Sequence, residues 1–252
     1  MSINFENEGV PIARCGKKKI HITDKEGDVN HGSKELHITK ENEIFQLISS
    51  DRERDIHDIT GQSGSGKSWF AKNYINEYIK KHPKNSIYLF SSISDDPSID
   101  SIKGLQRIDI KNPEFLDEDI ELSDMANSLV IFDDTDCIKE KSIKVKINGI
   151  LNMILETGRH ANISVIFTSH ICCAGNDTKR ILNETHSVTL FPKTLGNKSL
   201  KYLLDSYFGL DKDQIKKVKK LKGGRSVTIL KTYPMVVMND KHLFTLNTDE
   251  DD

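Results

Sequence analysis

Long apolar runs, a secretory signal and a strong net charge are all absent from this chain of 252 residues. No stretch approaches the roughly 20 apolar residues of a membrane-spanning helix, and the N-terminus lacks the apolar segment of a signal peptide. We therefore expect no membrane span. The 36 basic and 38 acidic side chains give a net charge of −2. A nucleic-acid site would have to be a local patch, because the chain as a whole does not attract a polyanion.

Cysteine is scarce as well. Cys15, Cys137, Cys172 and Cys173 include one adjacent pair and no Cys-x-x-Cys spacing. This pattern excludes a disulfide framework and a zinc site. Reduced thiols are typical of a cytosol-like compartment, so we expect a cytoplasmic protein.

Glycine, in contrast, is concentrated in one motif. The motif reads G-x-x-x-x-G-K-S and consists of Gly61, Gln62, Ser63, Gly64, Ser65, Gly66, Lys67 and Ser68. Its glycines allow positive φ values, so consecutive N–H groups can point inward and form an anion nest. Lys67 can reach the β- and γ-phosphates of a nucleotide, and the Ser68 hydroxyl can bind Mg²⁺. This phosphate-binding loop, or P-loop, predicts ATP and Mg²⁺ as cofactors.

The segments on either side of the P-loop have the order that the motif requires. Residues 55–60 can form a short strand, and downstream Phe70, Tyr74 and Tyr78 recur at helical spacing. A helix that begins near Gly66 would direct the positive end of its dipole at the same phosphates. The alternative, a Gly/Ser-rich linker that resembles the motif, is disfavoured by this strand–loop–helix order.

Further apolar runs predict an α/β core. Runs of buried-strand length lie at 86–92, 128–134, 163–170 and 187–191, with an edge-like run at 105–110. Residues 139–157 carry an apolar stripe at helical spacing. The order predicts a P-loop NTPase fold, with a parallel sheet, helices on both faces and an additional strand between the P-loop strand and the Asp-Asp strand.

Four domains are predicted along the chain. They are an N-terminal extension of short strands and a helix (1–50), the P-loop core (51–198), a C-terminal helical and β addition (199–248) and an acidic tail (249–252). Within the extension, residues 20–23 and 35–39 alternate apolar and polar, which predicts a hairpin or arm, and residues 41–50 predict a short helix. We expect the tail to be solvated and disordered.

The run Ser128–Phe132 ends in two carboxylates, Asp133 and Asp134, which matches the Walker B pattern. Carboxylates after a central strand emerge at the carboxyl edge of the sheet, where α/β proteins bind ligands. Asp133 is suited to the coordination shell of Mg²⁺, which it could contact directly or through a water molecule. Asp134 can orient or deprotonate an attacking water, although it could instead only cap the following helix.

The strand after Walker B also ends in polar residues, Thr168, Ser169 and His170. Alternation places Thr168 and His170 on one face and Ser169 on the other, and does not decide which face meets the nucleotide. We favour His170 as the group that contacts the γ-phosphate or its water. The alternative is a packing or capping histidine.

Arg159 lies at the turn between a predicted helix and strand, 26 residues after Asp133. An exposed guanidinium there could reach the γ-phosphate of a neighbouring subunit as an arginine finger. The alternative is a surface arginine that covers the helix end or pairs with Glu156. Arg180 is the second candidate for the finger.

Together these motifs resemble a known family. GQSGSGKS, LVIFDD, GRHANISVIFTSH, and Arg180 with Asn183 before SVTLF resemble the viral DNA-packaging ATPases of the FtsK–HerA superfamily. The similarity is to the poxvirus-type packaging ATPases of large nucleocytoplasmic DNA viruses and their virophages. It covers roughly residues 56–191. Asp134 stands where many members of the superfamily have Glu, and His170 where many have Gln.

The resemblance implies a RecA/FtsK-like ATPase that assembles as a homo-oligomeric ring and pulls double-stranded DNA into a preformed capsid. It further implies capsid or portal-vertex proteins as partners, and a location in the host cytoplasm, the virus factory or the virion. A basic segment could contact DNA phosphates, although lysines on an amphipathic helix are more often its solvated face. It comprises Lys212, Lys216, Lys217, Lys219, Lys220, Lys222 and Arg225.

Two other functions fit part of the sequence. A P-loop kinase for a small molecule or nucleotide would explain the P-loop, but it needs neither Asp134 as a water activator nor a polar-ended strand after Walker B. A non-catalytic, nucleotide-gated scaffold of virus assembly is the third hypothesis. Its function would survive the loss of Asp134.

Overall fold

The computed structural model describes residues 2–5, 7–23, 33–50, 52–173 and 176–246, without the side chains of 176 and 177. The strands are β1 (Ser2–Asn4), β2 (Val10–Cys15), β3 (Lys18–Thr23), β4 (Glu35–His37), β5 (Phe45–Leu47), β6 (Ile56–Thr60), β7 (Ser86–Ser91), β8 (Leu105–Ile108), β9 (Ser128–Asp133), β10 (Ile163–Ser169), β11 (Ser187–Leu190), β12 (Val227–Leu230), β13 (Val236–Met238) and β14 (His242–Thr245). The α-helices are α1 (Lys67–Lys81), α2 (Pro97–Asp100), α3 (Glu114–Asp117), α4 (Lys141–Thr157), α5 (Asn176–Glu184), α6 (Asn197–Ser206) and α7 (Lys212–Lys220).

The chain divides into two compact units. The P-loop unit is Arg52–Thr185, and the β-rich unit combines Met1–Asp51 with His186–Asp252. Residues 186–198, which the sequence analysis places in the core, group with the β-rich unit, where β11 pairs with β12. The predicted acidic tail, 249–252, lies outside the described residues.

The P-loop unit has a parallel sheet with the strand order β6-β10-β9-β7-β8. Strand β10 lies between the P-loop strand β6 and the Walker B strand β9, as the additional-strand prediction requires. The residues of β6, β9 and β10 are all buried, so their apolar runs form the core of this unit. The predicted fold class is therefore confirmed.

Helix α4 buries the apolar stripe that its sequence predicts. The buried residues are Ile143, Ile147, Ile150, Leu151, Ile154 and Leu155. At its C-terminus Arg54 donates hydrogen bonds to the carbonyl oxygens of Ile154 (2.7 Å) and Leu155 (2.9 Å). A Cβ at Gly158 would lie 3.1 Å from Nη1 of Arg54, so the close approach of this guanidinium favours glycine at that turn.

Strand β6 carries a fully buried histidine beneath α1. The His57 ring stacks on Phe70 and Tyr74, with centroid distances of 5.7 and 5.1 Å. Burial lowers the pKa of His57 from 6.5 to about 3, against a smaller upward effect of Asp55.

The low pKa of His57 predicts acid sensitivity. Between about pH 3 and 6.5, His57 is protonated in the unfolded chain but neutral in the folded chain. The free energy of unfolding therefore falls as the pH falls through this window. Relative to a His57→Phe variant, the wild type should lose about 1.4 kcal/mol of unfolding free energy for each pH unit below 6.5. Urea unfolding at pH 7.5, 6.0 and 5.0 measures this difference, and a difference that does not change with pH would contradict the assignment.

The β-rich unit contains two antiparallel arrangements. Strands β1-β3-β2-β5 form a four-stranded sheet, and β4-β14-β13-β12-β11 are paired antiparallel in that order. The predicted hairpin between 20–23 and 35–39 is wrong, because β3 pairs with β1 and β2 whereas β4 pairs with β14.

The predicted helix at 41–50 is also wrong. The structure has β5 there, and the Phe45 N–H donates to the carbonyl oxygen of Asp240 at 2.9 Å. The Lys241 ammonium donates to the carbonyl oxygens of Lys40, Glu41 and Glu43 at 2.6–3.0 Å. These distant partners take the carbonyl groups that a helix would use internally.

None of the helices in the described residues combines the length and the apolar character that a membrane span requires.

Candidate active site

The P-loop follows β6 and leads directly into α1. Gly64 and Gly66 have φ values of 74° and 113°, which favour glycine, and Gly66 is the N-cap of α1. The first turn of α1 contains no acidic side chain, so the positive end of the helix dipole is available to an anion. The loop thus has the local geometry of a phosphate site.

Lys67 is buried at the base of this loop, with 6% of its surface exposed. Its ammonium donates to the carbonyl oxygen of Gly61 at 2.9 Å and lies 3.4 Å from Oδ1 of Asp134. The structure therefore brings the P-loop lysine and the second Walker B carboxylate together.

Asp133 is the last residue of β9 and only 3% exposed. Hydroxyl groups contact both of its carboxylate oxygens: Thr168 donates to Oδ1 at 2.8 Å, and Ser91 donates to Oδ2 at 3.2 Å. Burial raises the pKa of Asp133, the Thr168 hydrogen bond lowers it, and the charge of Asp134 raises it again.

Asp134 has left-handed backbone geometry, with φ 48° and ψ 33°. Its side chain makes no capping hydrogen bond to the short 3₁₀ turn that follows. Instead, Oδ2 lies 2.9 Å from Nε2 of His170, and Oδ1 faces Lys67. The capping alternative for Asp134 is therefore not supported by the geometry.

His170 follows β10 and lies at the same edge of the sheet. Its backbone N–H donates to Oδ2 of Asp136 at 3.2 Å, while its ring contacts Asp134. The Ser169 hydroxyl donates to the carbonyl oxygen of Ile171 at 3.3 Å, and the Ser169 carbonyl oxygen accepts the Gly61 N–H at 3.1 Å and so connects β10 to the P-loop. Lys67, Asp134 and His170 form one contiguous group.

Comparisons with known proteins give this chain a relative and several structures with a similar fold. No family model matches the chain. Protein V3 of Sputnik virophage is 37% identical to this chain over 252 residues, which cover 97% of this chain and 98% of V3. The chain belongs to the same family as this virophage protein.

The chain has the fold of the viral packaging ATPases of the FtsK–HerA type, so the resemblance noted in the sequence is confirmed at the level of the fold. The AMP complex of the genome-packaging NTPase B204 from Sulfolobus turreted icosahedral virus 2 matches with a TM-score of 0.52 and 17% identity. The match covers 75% of this chain and 98% of B204. The cytoplasmic domain of the type VII secretion ATPase EccC from Thermomonospora curvata matches with a TM-score of 0.54 and 12% identity, over 88% of this chain and 29% of EccC.

Arg159 lies at the opposite end of the parallel sheet from the P-loop. It belongs to a 3₁₀ turn, Gly158–Ala161, that precedes the amino end of β10, whereas the P-loop follows the carboxyl end of the parallel strand β6. Its Nε donates to Oε2 of Glu53 at 3.1 Å, and Glu156 pairs with Arg180. The predicted alternative, an ion pair between Arg159 and Glu156, is therefore wrong, because Glu53 is the partner of Arg159.

Two hydroxyl groups at the site have no role that is predicted from the sequence. Alternation places Thr168 on the same strand face as His170 without a role, and no pattern singles out Ser91. Ser91 and Asp133 are register partners on neighbouring strands, and Phe167 opposite Phe132 places Thr168 level with Asp133. A serine or threonine at the carboxyl end of a strand that neighbours Walker B was the signal available in the sequence.

Proposed function

We propose that this protein is an ATP-hydrolysing motor that moves double-stranded DNA into a viral capsid. The observation that carries this proposal is the position of Asp134, a second carboxylate beyond Asp133 that lies beside Lys67 and His170. A carboxylate there suits the activation of water, which a nucleotide-binding scaffold does not need. The family fold and the packaging NTPase B204 support the same function.

The P-loop residues 61–68 would bind the ATP phosphates through their backbone N–H groups, with Lys67 at the β- and γ-phosphates. Mg²⁺ fits the donors that the site offers, because Ser68 and Asp133 supply hard oxygen atoms. Burial raises the pKa of Asp133, and a bound cation would lower this pKa again because it favours the charged carboxylate. When bound, Mg²⁺ would neutralise charge on the phosphate oxygens.

In the proposed reaction, a water oxygen attacks the γ-phosphorus and the bond from that phosphorus to the β–γ bridging oxygen breaks. Asp134 accepts the proton of the water, and ADP and inorganic phosphate are the products. Nε2 of His170 lies 2.9 Å from Oδ2 of Asp134, so it can orient this carboxylate or, once it leaves the carboxylate, donate a hydrogen bond to a phosphate oxygen. Lys67 stabilises the negative charge that develops on the transferred group.

The proposed partners are further copies of the chain in a ring, double-stranded DNA, and capsid or portal-vertex proteins, with the host cytoplasm or virus factory as the location. The basic segment of α7 is a candidate DNA contact. Lys216, Lys219 and Lys220 are exposed, whereas Lys217 pairs with Glu35 and lies over the Phe244 ring.

Phosphate release from ATP, with and without double-stranded DNA and without any added acceptor, tests the proposal. We expect wild-type hydrolysis to be stimulated by DNA, and Lys67→Ala to lose nucleotide binding or turnover. In a parallel reaction that contains an added small molecule, transfer of the γ-phosphate only to that molecule would favour a kinase. ATP binding without turnover would favour a scaffold.

A further inference from the structure

Thr168 occupies the centre of the candidate site and has no role in the proposal above. It is fully buried on β10, opposite Ile59 of β6 on one side and level with Asp133 of β9 on the other. Its hydroxyl therefore lies between the strand that leads into the P-loop and the strand that carries the Walker B carboxylates.

This hydroxyl contacts both Walker B residues through three atoms. Oγ1 accepts the Asp134 N–H at 2.9 Å, and it lies 2.8 Å from Oδ1 of Asp133 and 3.2 Å from Oδ1 of Asp134. A hydroxyl has one proton to donate, so it serves one carboxylate at a time, and the shorter contact is to Asp133.

The hydrogen bond from the Asp134 N–H to Thr168 accompanies an unusual backbone conformation of Asp134. Asp134 has φ 48°, a left-handed conformation that is uncommon for residues other than glycine. Its N–H donates to Thr168 in this conformation, and the side chain then faces Lys67 and His170. Without the acceptor on Thr168, the half-buried Asp134 N–H would lose its partner and the left-handed turn would lose a support.

We propose that Thr168 is a positioning residue that holds Asp133 and Asp134 in their two different orientations. Asp133 would in this way be held for a role in binding Mg²⁺, whereas Asp134 faces Lys67 and His170. This inference rests on the proposed ATPase function. The Thr168 hydroxyl orients the two carboxylates, whereas Lys67, Asp134 and His170 contact the substrate directly.

The test is Thr168→Val, which removes the hydroxyl and keeps the shape. We expect kcat to fall about tenfold to a hundredfold, KM for ATP to change less than about threefold, and Thr168→Ser to restore most of the activity. Thr189→Val is a matched control, because Thr189 is also fully buried and hydrogen-bonds Thr228 at 2.7 Å on strands of the β-rich unit. The control should keep wild-type kcat.

A second measurement does not need hydrolysis. Trp69 is the only tryptophan, is 60% exposed and follows Ser68, so its fluorescence can report ATP binding. Asp134→Asn should tighten ATP binding in the wild-type background, because it removes a charge beside Lys67. In the Thr168→Val background this gain should disappear, since Asp134 no longer faces Lys67.

The outcomes separate the two proposals. A Thr168→Val enzyme within twofold of the Thr189→Val enzyme would overturn the positioning role, as would equal losses of kcat and ATP affinity. A wild-type protein that binds ATP without hydrolysing it would refute the ATPase function. The fluorescence cycle would then still decide whether Thr168 directs Asp134.

Discussion

Replacing Asp134 with Asn should abolish most ATP hydrolysis and at the same time tighten ATP binding. The loss follows from the loss of the proposed general base, a role that contributes about 10²- to 10⁴-fold to a rate. Asn keeps the size of the side chain but cannot accept the proton of the attacking water.

The gain in binding follows from the contacts of the nucleotide-free site. Oδ1 of Asp134 lies 3.4 Å from the Lys67 ammonium, and the incoming phosphates must compete for this cation. Asp134 also repels the phosphates, because both carry negative charge. Removal of its charge should therefore lower the Kd for ATP about threefold to tenfold, the range expected of a partly solvated charge pair.

Steady-state phosphate release and Trp69 fluorescence titrations measure the two effects. Asp119→Asn is the matched control, because it removes the charge of an exposed carboxylate in the same unit and should change neither quantity. Hydrolysis by Asp134→Asn within twofold of the wild-type rate would contradict the assignment of Asp134 as the base. Weaker ATP binding would contradict the competition for Lys67.

The parts of this site that could be predicted are those encoded by contiguous residues. The P-loop requires a local pattern of glycines, Lys67 and Ser68, and the Walker B pair follows its own apolar strand. His170 could be proposed because it ends the strand after Walker B. In each case the information lies within a short segment, so neither strand register nor distant contacts were needed.

Thr168 and Ser91 could not be assigned in the same way, because their roles depend on how parallel strands align. A shift of one residue in the pairing of β9 with β10 or β7 would direct their hydroxyls away from Asp133. The N-terminal segment is a similar case. The spacing of Ile44, Leu47 and Ile48 is compatible with a helix, but the Lys241 ammonium, about 200 residues later, binds the carbonyl groups of this segment.

Arg159→Ala should lower ATP hydrolysis by about 10³- to 10⁵-fold if Arg159 is the arginine finger of a neighbouring subunit. Within its own chain the residue cannot reach the P-loop, because the seven residues of β10 separate the two by roughly 20 Å. Its ion pair with Glu53 does not prevent a role in trans, since both side chains are about 70% exposed and such pairs contribute little.

Mixed assemblies decide whether Arg159 acts between subunits. Arg159→Ala chains keep Asp134, and Asp134→Asn chains keep Arg159, so an interface between one of each can combine an intact P-loop site with an intact finger. We expect mixtures to recover hydrolysis that neither variant has alone, with differently tagged chains confirming that the subunits mix. Mixed assemblies without recovery would refute the shared site. The same mixture with Arg180→Ala in place of Arg159→Ala distinguishes the two arginines, because Arg180→Ala alone should remain active if Arg159 is the finger.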